Sequence, residues 1–335
     1  MRAAMVGRRI TQRDIARMTG VSQATVSLVL NDRADSGVRI APETRQRVLD
    51  AIRATGYVAD VVGRRLADRS NRILGVFTYE PVFPSAAADF YHPFLIGIEE
   101  RAEELGCDLL LFTSTPVVDG RRRLFEGDNR MRLADGCILL GRSIDRIELE
   151  RLVAEGHPFV SVGRRDGDSV PYVGADYATA VGALVRKAVA LGHRRLAYVG
   201  TGGPAESHAD RLEGFAEACL STGAVGVHHP RLDQAVRGDF TAILLEEPAD
   251  AGEAIRALEH HGKPEVSVVA LGEPTRRSTT PAPKDLTRFR TPRREMGWQA
   301  ADELAALVGD PASAPVRRLL PCELVEGVTL SAVHH

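Results

Sequence analysis

Between Ile10 and Asn31 the chain reads ITQRDIARMTGVSQATVSLVLN, a run crowded with short hydroxyl and amide side chains. Thr11, Ser22, Thr25, Ser27 and Asn31 can each donate a hydrogen bond at close range, which suits phosphate oxygens along a nucleic-acid backbone. To act together, these groups need two short helices set at an angle, and the sequence provides for them. Thr11 can cap a helix through Ile15, Ala16 and Met18, and Gly20 supplies the left-handed conformation that ends it. Ser22 caps a second helix, Gln23 to Leu30, with Val26, Val29 and Leu30 on its inner face. This is helix-turn-helix spacing, in which the second helix offers its N-terminal residues to base edges. An ordinary helical hairpin has the same spacing, so the flanking residues must decide.

Catalytic patterns are missing. The chain has no GxxxxGK[ST] loop, no HExxH and no GxSxG elbow. The GTGGP run at 200–204 lacks GxGxxG spacing and reads as a strand-to-helix loop. His193, in LGHRR, reads as a helix-end residue bonding a carbonyl; His260–His261 and His334–His335 read as solvated ends. Cys107, Cys137, Cys219 and Cys322 form no CxxC pair and no metal-ligand spacing, which points to reduced, mostly buried thiols. No enzyme activity, cofactor or metal is expected.

The elements that must carry these residues follow from charge and periodicity. Residues 1–70 hold thirteen Arg against seven acids, a net +6, whereas the rest of the 335-residue chain is −8. A basic head on an acidic body points to a polyanion as the head's partner. Arg enrichment runs through the whole chain, however, with Lys only at 187, 263 and 284. No stretch approaches the length of a membrane span, and no apolar segment follows the early arginines as in a secreted protein. A third helix is expected from Pro42 to Gly56, with Val48, Leu49 and Ile52 inward. From Ile73 onward short apolar strands (73–77, 108–112, 136–140, 158–162, 195–200, 241–245, 266–271) alternate with helical patterns (93–105, near 121–133, 145–155, 177–191, 209–222, 250–261). That rhythm predicts parallel βαβ units in two doubly wound lobes. Residues 275–290 read as a polar connector.

The segment 41–76, APETRQRVLDAIRATGYVADVVGRRLADRSNRILGV, completes a run with AxxxGVSxxTVSxVLN that resembles the lactose-repressor (LacI/GalR) family of bacterial transcription regulators. Further matching runs are 91–106, 133–141, 191–200, 211–218, 291–304 and 319–325, so the resemblance spans essentially the whole chain. It implies an all-α helix-turn-helix head joined to an α/β two-lobed, periplasmic-binding-protein-like effector core, acting as a homodimer on a pseudo-palindromic operator. The implied division is a head at 8–58, a hinge helix at 59–71 and a core at 72–333. Lobe 1 would take about 72–174 and 292–320, and lobe 2 about 175–291 and 321–333. By resemblance Gln23, Ala24 and Leu28 read bases: Gln23 can pair bidentately with adenine, and the other two offer apolar contact. The hinge reads ADVVGRRLA, with Leu66 at the family's minor-groove wedge, Arg64 and Arg65 beside it, and Gly63 lowering helix propensity.

The resemblance also implies an effector cleft. Phe90 and Tyr91 would stack on a ligand, Arg211 in RLEGF would grip it, and Arg164 follows a strand where the family often has Asp-Arg. Two departures matter. The run ALGEP (270–274) places Gly272 where the family commonly has a hydroxyl-binding Asp, and Glu247-Pro248 replaces a usual Asn-Asp. Either Glu273 or Glu247 reaches the ligand from a shifted backbone, or the ligand differs from a neutral sugar. The reading is thus a cytoplasmic, nucleoid-associated repressor released by a small carbohydrate-type effector. The alternatives are a corepressor ligand, a sugar-binding receptor without a regulatory role, or an enzyme on the two-lobed core. With no leucine heptads near residues 331–335, assembly is expected to stop at a dimer through the core.

Overall fold

The computed structural model describes residues 10–30, 40–55, 71–80, 88–118, 121–125, 130–203, 205–274 and 280–333. The chain divides into two compact units, Met1–Asn71 and Arg72–His335. Asn31, Gly63, Arg64, Arg65, Leu66 and all of the expected hinge at 59–71 except Asn71 lie outside the described residues.

The first unit holds three helices, α1 (Gln12–Thr19), α2 (Gln23–Leu30) and α3 (Pro42–Thr55). Their contact is a small apolar cluster of Ile15, Ala16, Val26, Val29 and Val48, with Leu30, Leu49 and Ile52 half-buried around it. The helix starts follow from side-chain chemistry. Thr11 and Asp14 form a capping box, with the Asp14 N–H donating to Thr11 Oγ1 at 3.3 Å and the Thr11 N–H donating to the Asp14 carboxylate at 3.0 Å. Gly20, at φ +68°, ends α1 in the left-handed conformation expected of it.

In the second unit the chain alternates as the apolar runs require, through α4 (Ala88–Glu104), α5 (Arg146–Glu155), α6 (Tyr177–Ala190), α7 (Glu206–Thr222), α8 (Leu232–Arg237), α9 (Ala251–His260) and α10 (Arg293–Gly309). The strands are β1 (Ile73–Thr78), β2 (Asp108–Phe112), β3 (Val117–Val118), β4 (Arg121–Arg122), β5 (Gly136–Leu140), β6 (Phe159–Val162) and β7 (Tyr172–Ala175). They continue as β8 (Arg195–Val199), β9 (Val225–His229), β10 (Ala242–Leu245), β11 (Ser267–Ala270), β12 (Arg288–Arg290), β13 (Arg317–Leu320) and β14 (Glu323–Val325). Two six-stranded sheets result, ordered β13-β7-β6-β5-β1-β2 in lobe 1 and β14-β12-β11-β10-β8-β9 in lobe 2. Within these two sheets every pair is parallel except β12 with β14.

Strand alternation sorts each sheet's two faces into separate cores. In β5, Ile138 and Leu140 face the α4/α10 side, while Cys137 and Leu139 face the opposite cluster. In β10, Ala242 and Leu244 pack in one cluster and Ile243 and Leu245 in the other. Both faces are buried, as parallel sheets require. Lobe 1 is completed late in the chain: α10 packs across α4, and β13 adds to β7. The crossing is so close that a Cβ on Gly97 would lie 1.9 Å from the Arg294 carbonyl oxygen, and one on Gly297 would lie 2.1 Å from that of Phe94.

Two expectations fail on local competition for the backbone. Of the helical pattern near 121–133, residues 121–125 and 130–133 are described, and they form no α-helix. The Arg122 N–H instead bonds the Tyr79 carbonyl at 2.9 Å, the Arg123 N–H bonds Pro116, and the Leu124 N–H donates to Glu148 at 2.9 Å. Leu124 is thereby pinned into the core, β4 pairs with β3, and among the described residues a 3-10 turn, Met131–Leu133, follows. The polar connector at 275–290 also contains β12, hidden because its arginines flank one buried residue, Phe289. Pro93, expected at a helix start, lies inside α4.

The thiols are free, with Cys137 and Cys219 buried and Cys107 and Cys322 half-buried. Burial pushes Cys219 up to about 11 and Cys322 up to about 12, so neither forms a thiolate readily near neutrality. His193 does bond a carbonyl: its Nε2 donates to Ser331 at 2.9 Å, clamping the chain's end onto lobe 2.

Gly97→Ala should destabilise the second unit by about 2–3 kcal/mol in urea unfolding, because the clash with backbone exceeds the roughly 1 kcal/mol that Ala gains in helix propensity. His193 carries a pH dependence. Burial lowers its imidazole below the usual value, so the neutral ring's contribution is present above about pH 6.5 and lost as pH falls through that value, where the unfolded chain takes up the proton first. His193→Gln keeps a donor for Ser331, and its unfolding midpoint should fall less than the parent's between pH 7.5 and pH 5.5.

Candidate functional site

The N-terminal unit presents the first surface. On α2, Ser22, Gln23 and Ala24 are exposed, while Thr25, Ser27 and Leu28 are half-buried. Ser22 caps the helix by accepting the Thr25 N–H at 3.1 Å, and its hydroxyl lies 2.9 Å from that of Thr25. Thr11 caps α1, so part of its bonding capacity is spent within the unit. Gln23 is steadied from α1: its Oε1 accepts from Arg13 at 3.4 Å and its Nε2 donates to Gln12 at 3.4 Å. Gln12 and Arg13 thus join the surface.

A cleft of about 280 Å³ opens between the two lobes at the C-terminal ends of their parallel strands. That is where unpaired strand ends and helix starts leave room for a ligand in doubly wound sheets. Phe90, Tyr91, Arg164, Arg211, Glu247 and Glu273 all border it.

Their states differ. Phe90 is half-buried, edge-on to Tyr91 with ring centroids 4.9 Å apart, and the Arg142 guanidinium lies 4.7 Å from its centroid. Tyr91 is only 2% exposed and donates its hydroxyl to Glu80, so it is mainly a core side chain and not the open stacking face expected of it. Burial, then Glu80, pushes its phenol well above the usual value. Arg211 lies 3.8 Å above the Tyr177 ring and donates Nε to the Leu271 carbonyl (3.1 Å) and Nη1 to that of Ser207 (2.8 Å). Glu247 Oε1 accepts the Ala249 N–H at 3.3 Å.

Three ion pairs cross the cleft. Arg164, after β6, holds Asp210 on α7 through Nε (2.8 Å) and Nη2 (2.7 Å), and also meets Asp166. The Asp210 hydrogen bond above all raises the Arg164 pKa. Arg165 is 2% exposed and meets Glu206 at 3.1 Å while donating to the Gly141 carbonyl at 2.6 Å. Arg293, at the start of α10, holds Glu273 at 2.7 Å. Glu273, expected to reach a ligand, is thus turned to a guanidinium across the gap. Gly272 has φ +143°, a conformation rarely open to residues with a side chain.

Besides Arg121 and the ion-pair partners Arg165, Asp210 and Arg293, sequence reasoning missed Arg142, Tyr177, His208 and Glu246. Glu246 is buried and accepts from the Tyr198 hydroxyl at 2.7 Å and the Gly202 N–H at 3.3 Å. The signal for it was the end of β10 at Leu245, which makes Glu246 and not Glu247 the first residue beyond the strand. Burial lowers His208; Glu246 opposes this, whereas Arg211 and Arg142 add to it. Among the described residues no group of His, Cys, Asp or Glu could hold a metal ion, and no helix is long and apolar enough to cross a membrane.

A helix-turn-helix unit joined to a two-lobed α/β core with an inter-lobe cleft defines a class, that of one-chain regulators with a periplasmic-binding-like core. Residues 11–60 match bacterial regulatory proteins of the lacI family, and residues 185–330 match the periplasmic binding protein-like domain. The transcriptional regulator MalR of Streptomyces coelicolor is 30% identical over 95% of this chain and 96% of its own. The sucrose operon repressor of Klebsiella pneumoniae is 26% identical over 96% of this chain and 98% of its own. A lac repressor dimer bound to operator and the anti-inducer ONPF shares the fold with a TM-score of 0.71, at 21% identity over 97% of this chain and 100% of that one. The complex of the regulator CelR with cellobiose gives 0.59 at 23% identity, over 96% and 100%. The chain belongs to the lacI family of bacterial regulatory proteins.

The cross-cleft pairing can be measured directly. A double-mutant cycle on Arg164→Ala and Asp210→Ala should give a coupling of about 1–3 kcal/mol in urea unfolding, above the ~1 kcal/mol ceiling of exposed pairs because both groups are largely shielded.

Proposed function

We propose that this chain is a ligand-responsive transcriptional repressor that binds a pseudo-palindromic operator as a homodimer and releases it when a small carbohydrate-type effector enters the inter-lobe cleft. The observation that carries this reading is that the cleft's walls come from both lobes and are joined by ion pairs, so a ligand seated there changes the free energy of one lobe arrangement against another. The MalR, CelR and sucrose-repressor names of similar chains support a carbohydrate effector.

In this reading residues 8–58 bind DNA, 59–71 join the units and 72–333 sense the ligand and dimerise. Thr11, Ser22, Thr25, Ser27, Asn31, Arg64 and Arg65 face phosphates or the narrow groove, and Leu66 wedges a base step. Gln23, Ala24 and Leu28 read bases, with Gln23 prepositioned by Gln12 and Arg13. In the cleft, Phe90 and Arg211 touch the ligand, Arg164 and Glu273 brace the closed lobes, Tyr91 backs Phe90, and Glu247 borders the site. No catalytic step, cofactor or metal enters this scheme, and the site of action is the cytoplasm, at the nucleoid.

The test is an operator gel-shift titration with and without a carbohydrate panel. Gln23→Ala should lose about 1–3 kcal/mol per half-site at one operator position and relax specificity there. Unchanged affinity for every operator variant would remove Gln23 from base readout. Arg211→Ala should raise the effector concentration for half-release about tenfold or more, the effect of losing about 1.4 kcal/mol of ligand grip. If the variant instead loses operator binding in ligand-free buffer, Arg211 is a structural brace.

A further inference from the structure

We propose that the effector carries a negative charge: it is a carbohydrate with a carboxylate or phosphate, and that group is held at the cleft mouth by Arg142 and Arg121 beside the Phe90 ring. The inference rests on the effector reading above and concerns which hydrogen-bonding groups the cleft leaves open.

A neutral sugar both donates and accepts through its hydroxyls, so its site needs acceptors as well as donors. The carboxylates bordering this cleft are engaged within the protein. Asp210 is taken by Arg164, Glu273 by Arg293, and Glu246 by Tyr198 and the Gly202 N–H, while Glu247 accepts from the Ala249 N–H. No carboxylate is presented from position 272, which is Gly in a conformation that disfavours a side chain.

The donors are in the opposite state. Among the described residues Arg142 makes no hydrogen bond or ion pair; its guanidinium lies over the face of Phe90, 4.7 Å from the centroid. Among the described residues the Arg121 side chain donates only to the Ser143 hydroxyl. Arg211 spends Nε and Nη1 on carbonyls and pairs with no acid among the described residues, which leaves Nη2 toward Gly272. Arg142 and Arg121 are exposed at the rim, and Arg211 lies deeper, across the cleft. The positive field of Arg142 and Arg211 also reaches His208 and, with burial, disfavours its protonation. Among the charged groups of the cleft the unspent capacity is therefore cationic, and forked guanidiniums match the paired oxygens of a carboxylate or phosphate. The Phe90 ring edge would border the sugar's apolar face while Arg142 reaches past it.

The experiment is isothermal titration of the full chain at low ionic strength, with inorganic phosphate and with three matched sets. These sets are glucose, galactose and mannose, each with its uronate and its 6-phosphate. Phosphate should bind, and in the Arg142→Gln/Arg121→Gln variant it should bind about tenfold more weakly, while the thermal midpoint reports that the core is intact. Within any set that binds, an anionic member should be about tenfold tighter than its neutral parent, and uronate against phosphate ester identifies the anion. A neutral hexose that binds as tightly as its anions overturns the proposal and leaves the effector reading standing. Failure of phosphate to bind, or equal binding by the variant, overturns it as well. Phosphate held by Arg142 with no hexose bound in any set supports the anion site and overturns the carbohydrate reading.

Discussion

Lobe 1 is not complete when its first five strands have been made. Its outer helix α10 and edge strand β13 arrive only after lobe 2 has been built up to β12, and α10 docks across α4 at the mutual approach of Gly97 and Gly297. Much follows from that contact. The apolar face under α4 and α10 is covered only when residues 293–320 return. The chain must therefore pass between the lobes after β7, after β12 and after β13. Lobes joined by several strands can change their spacing but cannot separate, and that turns a pair of sheets into a cleft of defined width.

The cleft is electrostatically uneven as a result. Its ion pairs join a group from one lobe to a group from the other, so forming them draws the walls together. Arg165 is the most deeply placed, and burial works against its charge. A guanidinium in that position persists because Glu206 and the carbonyls of Gly141 and Arg164 replace its water. Asp210, Glu206 and Glu273 are spent on closure and Glu246 and Glu247 on bonds within lobe 2, while Arg142, Arg121 and Arg211 pair with no acid among the described residues, and this imbalance gives the site its chemical preference.

The N-terminal unit solves a different problem. Its apolar cluster is small, so helix ends matter in proportion. The Thr11–Asp14 box, the Gly20 turn and the Ser22 cap set the angle between α1 and α2, and that angle exposes Ser22, Gln23 and Ala24. The hydroxyls read as phosphate donors are partly structural: Thr11 and Ser22 hold helix ends whatever else they touch.

Local chemistry was legible in the sequence. The capping residues, the Gly turn, the alternation of apolar strands with helices and the two-lobed class all follow from propensities and periodicities that act over a few residues. The family resemblance, and not those local signals, placed Phe90, Arg211 and Arg164 near a cleft. What tertiary structure alone decided is which bonds those groups form. The pattern at 121–133 is helical, but the Tyr79 carbonyl and the Glu148 carboxylate claim its backbone N–H groups from strands and helices far along the chain. Arg164 and Glu273 look alike in sequence to free binding groups, yet each meets a partner from the other lobe. Arg142 carries no signal in sequence because an arginine is identified as unpaired only when every acid around it has been assigned. Hydrogen bonding saturates, and which partner a group takes depends on distances that only the folded chain sets.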